Sequence, residues 1–291
     1  MKNMKYLIKV LSLLLAIMVS SCDTTILDVK NETSYNVESY FKTPSEVQQS
    51  VNAAYASFFT NEMLGWRWGE MFDVLAEESF GAPAANGETP IQQLWRYEHN
   101  NTNDAIYGYW HMLYKMIMRS NLTIDKANEY ITKNGDDAAK ITSYSMGQAY
   151  FLRGWAYTQL AFYWGRVPIR TGFDQTSNID APRSKAVDEV WAVAEADFKK
   201  AQTLLPESYS TAEKGRATKF AATGFLGKLY LYTKKYALAE AEFAKLEGKY
   251  NLLIADKWDD NFGEKNENNA ESVFEVQIAY QNGDNVYGII F

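Results

Sequence analysis

Residues Gly215 to Leu246 read GRATKFAATGFLGKLYLYTKKYALAEAEFAKL. The stretch predicts two helices, near 217–233 and 236–247, joined by a short turn. Within the second helix, Ala239-Glu-Ala-Glu-Phe243 repeats Ala194-Glu-Ala-Asp-Phe198, forty-five residues earlier. Recurrence at that distance marks a helical repeat, in which one helix pair cannot bury its apolar face until a neighbour stacks on it.

The register is that of a tetratricopeptide repeat, which places Leu-Gly-x-x-Tyr on its first helix, Ala-x-x-x-Phe on its second and a proline at the end. Leu226, Gly227, Tyr230, Ala239 and Phe243 fall in that register together. The small residues let two backbones approach where the helices cross, and the aromatics fill the space beside them. In the earlier copy Gly154 and Tyr157 fit the first helix, and Ala194, Phe198 and Pro206 fit the second. An insertion of about 28 residues, around Gly165 to Lys185, lies between those halves beyond the repeat's own spacing. It is either a binding loop on one face of the scaffold or passive padding.

Upstream, Thr43, Pro44 and Glu46 supply a capping hydroxyl, a proline at the first helical position and an acid at the third. Val47, Val51, Ala54, Tyr55 and Phe58 then give a helix one apolar face. A second helix begins near Asp104, with Ile106, Trp110, Leu113, Ile117 and Ile124 on one stripe and Asn121 among them. A third covers roughly 140–164, with Leu152, Trp155, Ala156, Leu160 and Tyr163 as its stripe. A fourth carries Val187, Val190, Trp191, Ala194, Phe198, Ala201 and Leu205 and is stopped by Pro206. From Asn61 to Asn103 the chain is expected to be irregular, and Ser272 to Ile278 alternates as a strand would. The expected fold is mainly all-α: a tetratricopeptide-like helical repeat scaffold with long inserted loops and a little β near the C-terminus.

The amino terminus carries Lys2, Lys5 and Lys9, then an uncharged apolar run from Val10 to Val19, then Ser20, Ser21 and Cys22. An apolar core of about ten residues is too short to span roughly 30 Å of hydrocarbon and suits a signal peptide. Small residues before the only cysteine resemble a bacterial lipobox, with cleavage after Ser21 and acylation of Cys22. Two or more acyl chains would anchor the protein stably to a membrane. An ordinary secretory signal followed by a free thiol, or by a cysteine that pairs with another chain, is the alternative. The expected division is 1–21 signal peptide, 22–40 polar tether and 41–291 helical domain. With Cys22 acylated, the mature chain would have no internal disulfide.

Removal of residues 1–21 would take three lysines away and move the formal charge from −7 to −10. An acidic body argues against nucleic acid as a partner, because phosphates demand clustered Lys and Arg. Catalytic residues are not apparent. Of the two histidines, His99 and His111, neither has a partner at zinc-site spacing, and no nucleophile elbow or phosphate loop occurs. Paired carboxylates such as Glu77 and Glu78, or Asp259 and Asp260, leave an exported glycoside hydrolase as a remote alternative. Residues 256–267 are acidic and amide-rich but lack the ligand order of a calcium loop, so a calcium ion there is an unsupported alternative, and no other metal and no cofactor is expected.

The segment 61–103 is the better candidate for function. It holds Trp66, Trp68, Phe72, Phe80, Trp95 and Tyr97 among several glycines and two prolines. Aromatic faces stack on sugar rings, while amides and acids bond the hydroxyls. Candidate ligand residues are therefore Trp66, Trp68, Asp73, Glu77, Trp95, Arg96 and Tyr97, with Trp66 and Trp68 placed first because glycines flank them. The alternative is that a long loop buries aromatics merely to stay ordered.

Several blocks in order resemble the SusD/RagB-type nutrient-binding lipoproteins of Bacteroidetes. They are Trp110 to Asp125 (WHMLYKMIMRSNLTID), Ala149 to Ile169 (AYFLRGWAYTQLAFYWGRVPI), Pro182 to Pro206, Gly215 to Leu246, and Asn269 to Gln277 (NAESVFEVQ). The resemblance implies a non-enzymatic lipoprotein on the outer face of the outer membrane, which captures oligosaccharide or peptide and works with a SusC-like TonB-dependent barrel. It implies helical repeats that contact the barrel and loops on another face that hold ligand. Family members continue well past the last block, so the resemblance also implies an amino-terminal portion whose second half is missing. A tetratricopeptide adaptor that binds only protein is the competing interpretation.

Overall fold

A computed structural model describes residues 40–80, 88–173, 180–262 and 264–277. The signal peptide and Cys22 lie outside the described residues, as do the tether up to 39, Ile278 and the apolar Tyr287 to Phe291. Eight α-helices follow one another among the described residues: α1 Pro44–Tyr55, α2 Trp66–Leu75, α3 Thr89–Trp95, α4 Asp104–Asn134, α5 Asp136–Trp164, α6 Val187–Leu204, α7 Lys219–Tyr232 and α8 Tyr236–Ala244.

Each start and stop has a local cause. The Thr43 side chain accepts from the Glu46 amide at 3.3 Å while Glu46 Oε2 accepts from the Thr43 amide at 2.7 Å, which closes a capping box on α1. Asn103 caps α4 by accepting from the amides of Ala105 and Ile106. Gly135, at φ +78, ends α4 and begins α5, a backbone conformation that suits glycine. Leu205 is extended ahead of Pro206, which ends α6.

Helix α5 is the centre of the fold. It packs against α4 on one side and α6 on the other, with α1 and α7 beside it. From Ser145 to Ala161 only Tyr150 and Gln159 escape burial. The apolar stripe expected from Leu152 to Leu160 is therefore part of a helix buried all round, while Tyr163 at its end is exposed. The repeat register has a direct geometric meaning. A Cβ on Gly154 would stand 3.2 Å from Phe198 Cε1 and 3.3 Å from the Ala194 carbonyl, and one on Gly227 would meet the Phe243 ring at 2.6 Å. In both copies the glycine of one helix is where the aromatic of the next lies against its backbone.

Two sequence expectations change. The segment 61–103 is not irregular throughout, since it contains α2 and α3. Trp68, Met71, Phe72 and Leu75 stand at helical spacing in α2, and Met71 and Val74 are buried. In α3, Ile91 and Leu94 are buried. At the other end, 272–277 forms no strand among the described residues. Its alternation is still meaningful, because Phe274 and Val276 pack on the helical core. The segment lies on helices rather than beside another strand.

The described part of the insertion is fastened through its backbone. Asn121 Nδ2 donates to the carbonyls of Arg170 (3.1 Å) and Gly172 (3.2 Å), and Tyr114 Oη donates to that of Pro168 (2.7 Å). Tyr157 Oη donates to the Arg170 carbonyl at 2.8 Å, and Asp125 Oδ2 accepts from the Phe173 amide at 2.6 Å. Arg153, on α5, joins Asn121 to Asp197 on α6 and also reaches the Thr171 carbonyl. The irregular strap is thus held by side chains of α4 and α5.

Candidate functional site

Helices α2 and α3 pack on each other and end in the same way. After α2, the Glu77 amide donates to the Val74 carbonyl (3.4 Å) and the Glu78 amide to that of Asp73 (3.0 Å). After α3, the Tyr97 amide donates to the Leu94 carbonyl (3.0 Å) and the Glu98 amide to that of Gln93 (2.9 Å). These are paired Schellman caps, which place the residue after the C-cap in the left-handed region and usually use glycine there. Here the residues are Glu77 (φ 62) and Tyr97 (φ 55). Left-handed backbone costs a non-glycine residue about 1–3 kcal/mol, and such positions gather at functional sites.

Both strained residues line one cleft of about 390 Å³, together with Glu78, Ser79, Phe80 and Trp95. Phe80, Trp95 and Tyr97 are 72%, 39% and 55% exposed. The Phe80 and Trp95 rings lie 6.3 Å apart at 57°, so their faces do not cover each other fully. Tyr97 Oη donates to the Leu75 carbonyl at 2.8 Å, which fixes its ring across the two helix ends. The Arg96 guanidinium stands 5.8 Å from the Trp95 ring centroid. The cleft therefore offers flat apolar faces beside the two carboxylates of Glu77 and Glu78.

The other candidates lie elsewhere. Trp66 and Trp68 pack against the core, and Trp68 makes an edge contact with Phe72. Asp73 is exposed on α2, one turn before the cleft, and its carbonyl anchors the turn after the helix. Phe80, Glu78 and Ser79 join the site although they were not singled out as ligand residues; the missing signal is the helix-end geometry. Arg67 is held by Glu88 at 2.8 Å and by Glu62 at 3.3 Å. Hydrogen bonds from Arg67 to Glu88 raise its pKa further, and burial opposes them only in part. Among the described residues, no three His, Cys, Asp or Glu side chains gather as metal ligands, and no helix is long and apolar enough to cross a membrane.

A family model described as "starch-binding associating with outer membrane" matches residues 26–231. The chain belongs to the SusD-like family. The SusD-like protein P2 of Formosa agariphila is 27% identical over 229 residues, which are 75% of this chain and 42% of that protein. A SusD homolog from Bacteroides thetaiotaomicron superposes with a TM-score of 0.71 at 22% identity, covering 88% of this chain and 51% of that structure. A laminarin-binding SusD-like protein superposes at 0.68 and 22%, covering 79% of this chain and 50% of that structure. This SusD-like chain thus spans about half the length of the relatives it matches, and the structural likenesses speak for a shared helical scaffold.

Proposed function

We propose that this SusD-like chain binds glycan at the cleft between the ends of α2 and α3, without turning it over. The observation that carries the proposal is the placement of Trp95, Phe80 and Tyr97 beside Glu77, with two helix ends in strained conformations. Sugar C–H faces stack on the rings, and the carboxylates accept from hydroxyls. The family's description as starch-binding and the laminarin named for one relative support a polysaccharide over a peptide. The wider proposal follows the family: Cys22 is acylated, the domain sits on the cell exterior, and ligand passes to a TonB-dependent barrel. A tether from Cys22 would keep domain and barrel at high effective concentration.

Titration of the whole chain with laminarin and with starch tests the cleft. Trp95→Ala is expected to weaken binding to the preferred polymer about 30-fold, or about 2 kcal/mol, the size of an aromatic anchor in a binding site. Unchanged affinity in that variant would remove the cleft from consideration. The anchor is checked separately by labelling cells with a palmitate analogue. Wild type is expected to take up label and Cys22→Ala to take up none; persistent labelling of the variant refutes acylation at Cys22.

A further inference from the structure

We infer that the binding surface continues from the cleft along an exposed aromatic row at one end of the helical bundle, and that it takes a long, uncharged glycan chain. This rests on the cleft being a glycan site. The row starts at α2, to which Tyr97 is tied through the Leu75 carbonyl. One turn back, Phe72, half-buried against the core, stacks on Tyr163 with centroids 4.6 Å apart at 30°. Tyr163 meets Phe162 at 5.0 Å, and Phe162 meets Tyr232 at 5.2 Å. Phe162 and Tyr163 stand at the end of α5 and Tyr232 at the end of α7, so the ring contacts bring two helix ends to one surface.

Beyond Phe72 the rings are turned largely to solvent. Phe162 is 54% exposed, Tyr163 42% and Tyr232 44%. Phe151 and Tyr157, further back on α5, are by contrast fully covered. The row also carries polar groups at the spacing of its rings: the hydroxyls of Tyr163 and Tyr232, and the Lys228 ammonium 5.6 Å from the Tyr232 ring. Flat faces interrupted by hydroxyl and ammonium groups fit a sugar chain, which is itself apolar on its ring faces and polar at its edges.

The charge on the way to the cleft restricts the class of chain. Glu70 and Asp73 are exposed on α2, and Glu77 and Glu78 follow at its end. Burial raises the pKa of Glu70, and the nearby carboxylates of Glu88 and Asp73 raise it further. A polymer that bears uronate or sulfate would meet these four carboxylates with like charge, offset only by Arg96 beside Trp95 and Lys228 beside Tyr232, whereas a neutral chain meets hydrogen-bond acceptors.

The test compares each polymer with its own trisaccharide: laminarin with laminaritriose, and starch with maltotriose. Phe162→Ala/Tyr232→Ala is expected to bind the trisaccharide as wild type does and to lose at least tenfold of the advantage that polymer has over trisaccharide. Phe162→Leu/Tyr232→Leu keeps an apolar surface without flat rings and is expected to show the same loss. It also separates a sugar platform from a protein-docking patch, which would tolerate leucine. An unchanged ratio of polymer to trisaccharide affinity in both variants overturns the extension. So does loss of co-purification with the barrel while polysaccharide affinity stays intact. If Trp95→Ala weakens binding but the tip variants do not, only the extension falls. If the intact chain binds neither polymer, or if Trp95→Ala has no effect, the cleft falls with it. Binding of alginate as strongly as the neutral polymers would overturn the restriction to uncharged chains.

Discussion

Asp197→Ala is expected to destabilise the fold by about 3–5 kcal/mol, measured by chemical denaturation, because it strands a buried guanidinium. Arg153 Nε and Nη2 donate to the two oxygens of Asp197 at 2.8 and 2.7 Å, and the side chains are 7% and 4% exposed. Burial alone would lower the Arg153 pKa, but the hydrogen bonds it donates to Asp197 outweigh it and hold the guanidinium charged. Burial pushes the Asp197 carboxyl up, and the guanidinium pulls it back only in part. The pair therefore adds little net stability over an apolar filling, although losing one partner is expensive. Arg153→Met/Asp197→Leu should recover most of the loss.

The same substitution reaches the inserted strap. Arg153 Nη1 donates to Asn121 Oδ1 at 2.7 Å and to the Thr171 carbonyl at 3.1 Å, and Asn121 in turn holds the carbonyls of Arg170 and Gly172. Amide exchange over 167–173 should therefore rise in Asp197→Ala by more than the global loss explains. In the double apolar variant it should stay raised, because the arginine contacts are gone even where stability returns. An Asp197→Ala variant within 1 kcal/mol of wild type would show that the guanidinium finds water or another partner.

The helices that carry this network were legible because their spacing is regular. Gly154, Phe198, Gly227 and Phe243 meet as the repeat register requires. Asn121 stood out as a polar residue on an apolar stripe, and its buried amide holds the strap. Less was legible where local composition and tertiary placement compete. Glycines around Trp66 and Trp68 suggested an open loop, yet Trp68, Met71, Phe72 and Leu75 keep helical spacing, and that spacing turns the indole of Trp68 against Phe72 and the core. Glu77, Trp95 and Tyr97 come together only because two helices end side by side in left-handed caps. Glycine at those caps would have announced them; glutamate and tyrosine do not. The strand expected from Ser272 shows the same limit, since period-2 alternation reports one buried face without saying what covers it.

What covers it is a cluster of rings, and Phe151→Ala should lower stability by about 3–5 kcal/mol. Phe151 is fully buried on α5, with its centroid 5.9 Å from Phe198 on α6, 5.3 Å from Phe225 on α7 and 5.0 Å from Phe274 in the C-terminal segment. All three are edge contacts, each adding about 0.5–1.5 kcal/mol beyond the area it covers. Truncation removes the shared member and leaves a cavity at the junction of three helices and one extended segment. Phe151→Leu keeps most of the apolar volume and should lose less than half as much. The segment is the weakest side of this junction, because Phe274 is only half-buried and 272–277 has no strand partner among the described residues. Its amides should therefore exchange first in Phe151→Ala, ahead of those in α6 and α7. A double-mutant cycle of Phe151→Ala with Phe274→Ala should give a coupling of about 0.5–1.5 kcal/mol. Additive losses would mean that the two rings are neighbours without interacting, and that Val276 is what holds the segment to the bundle.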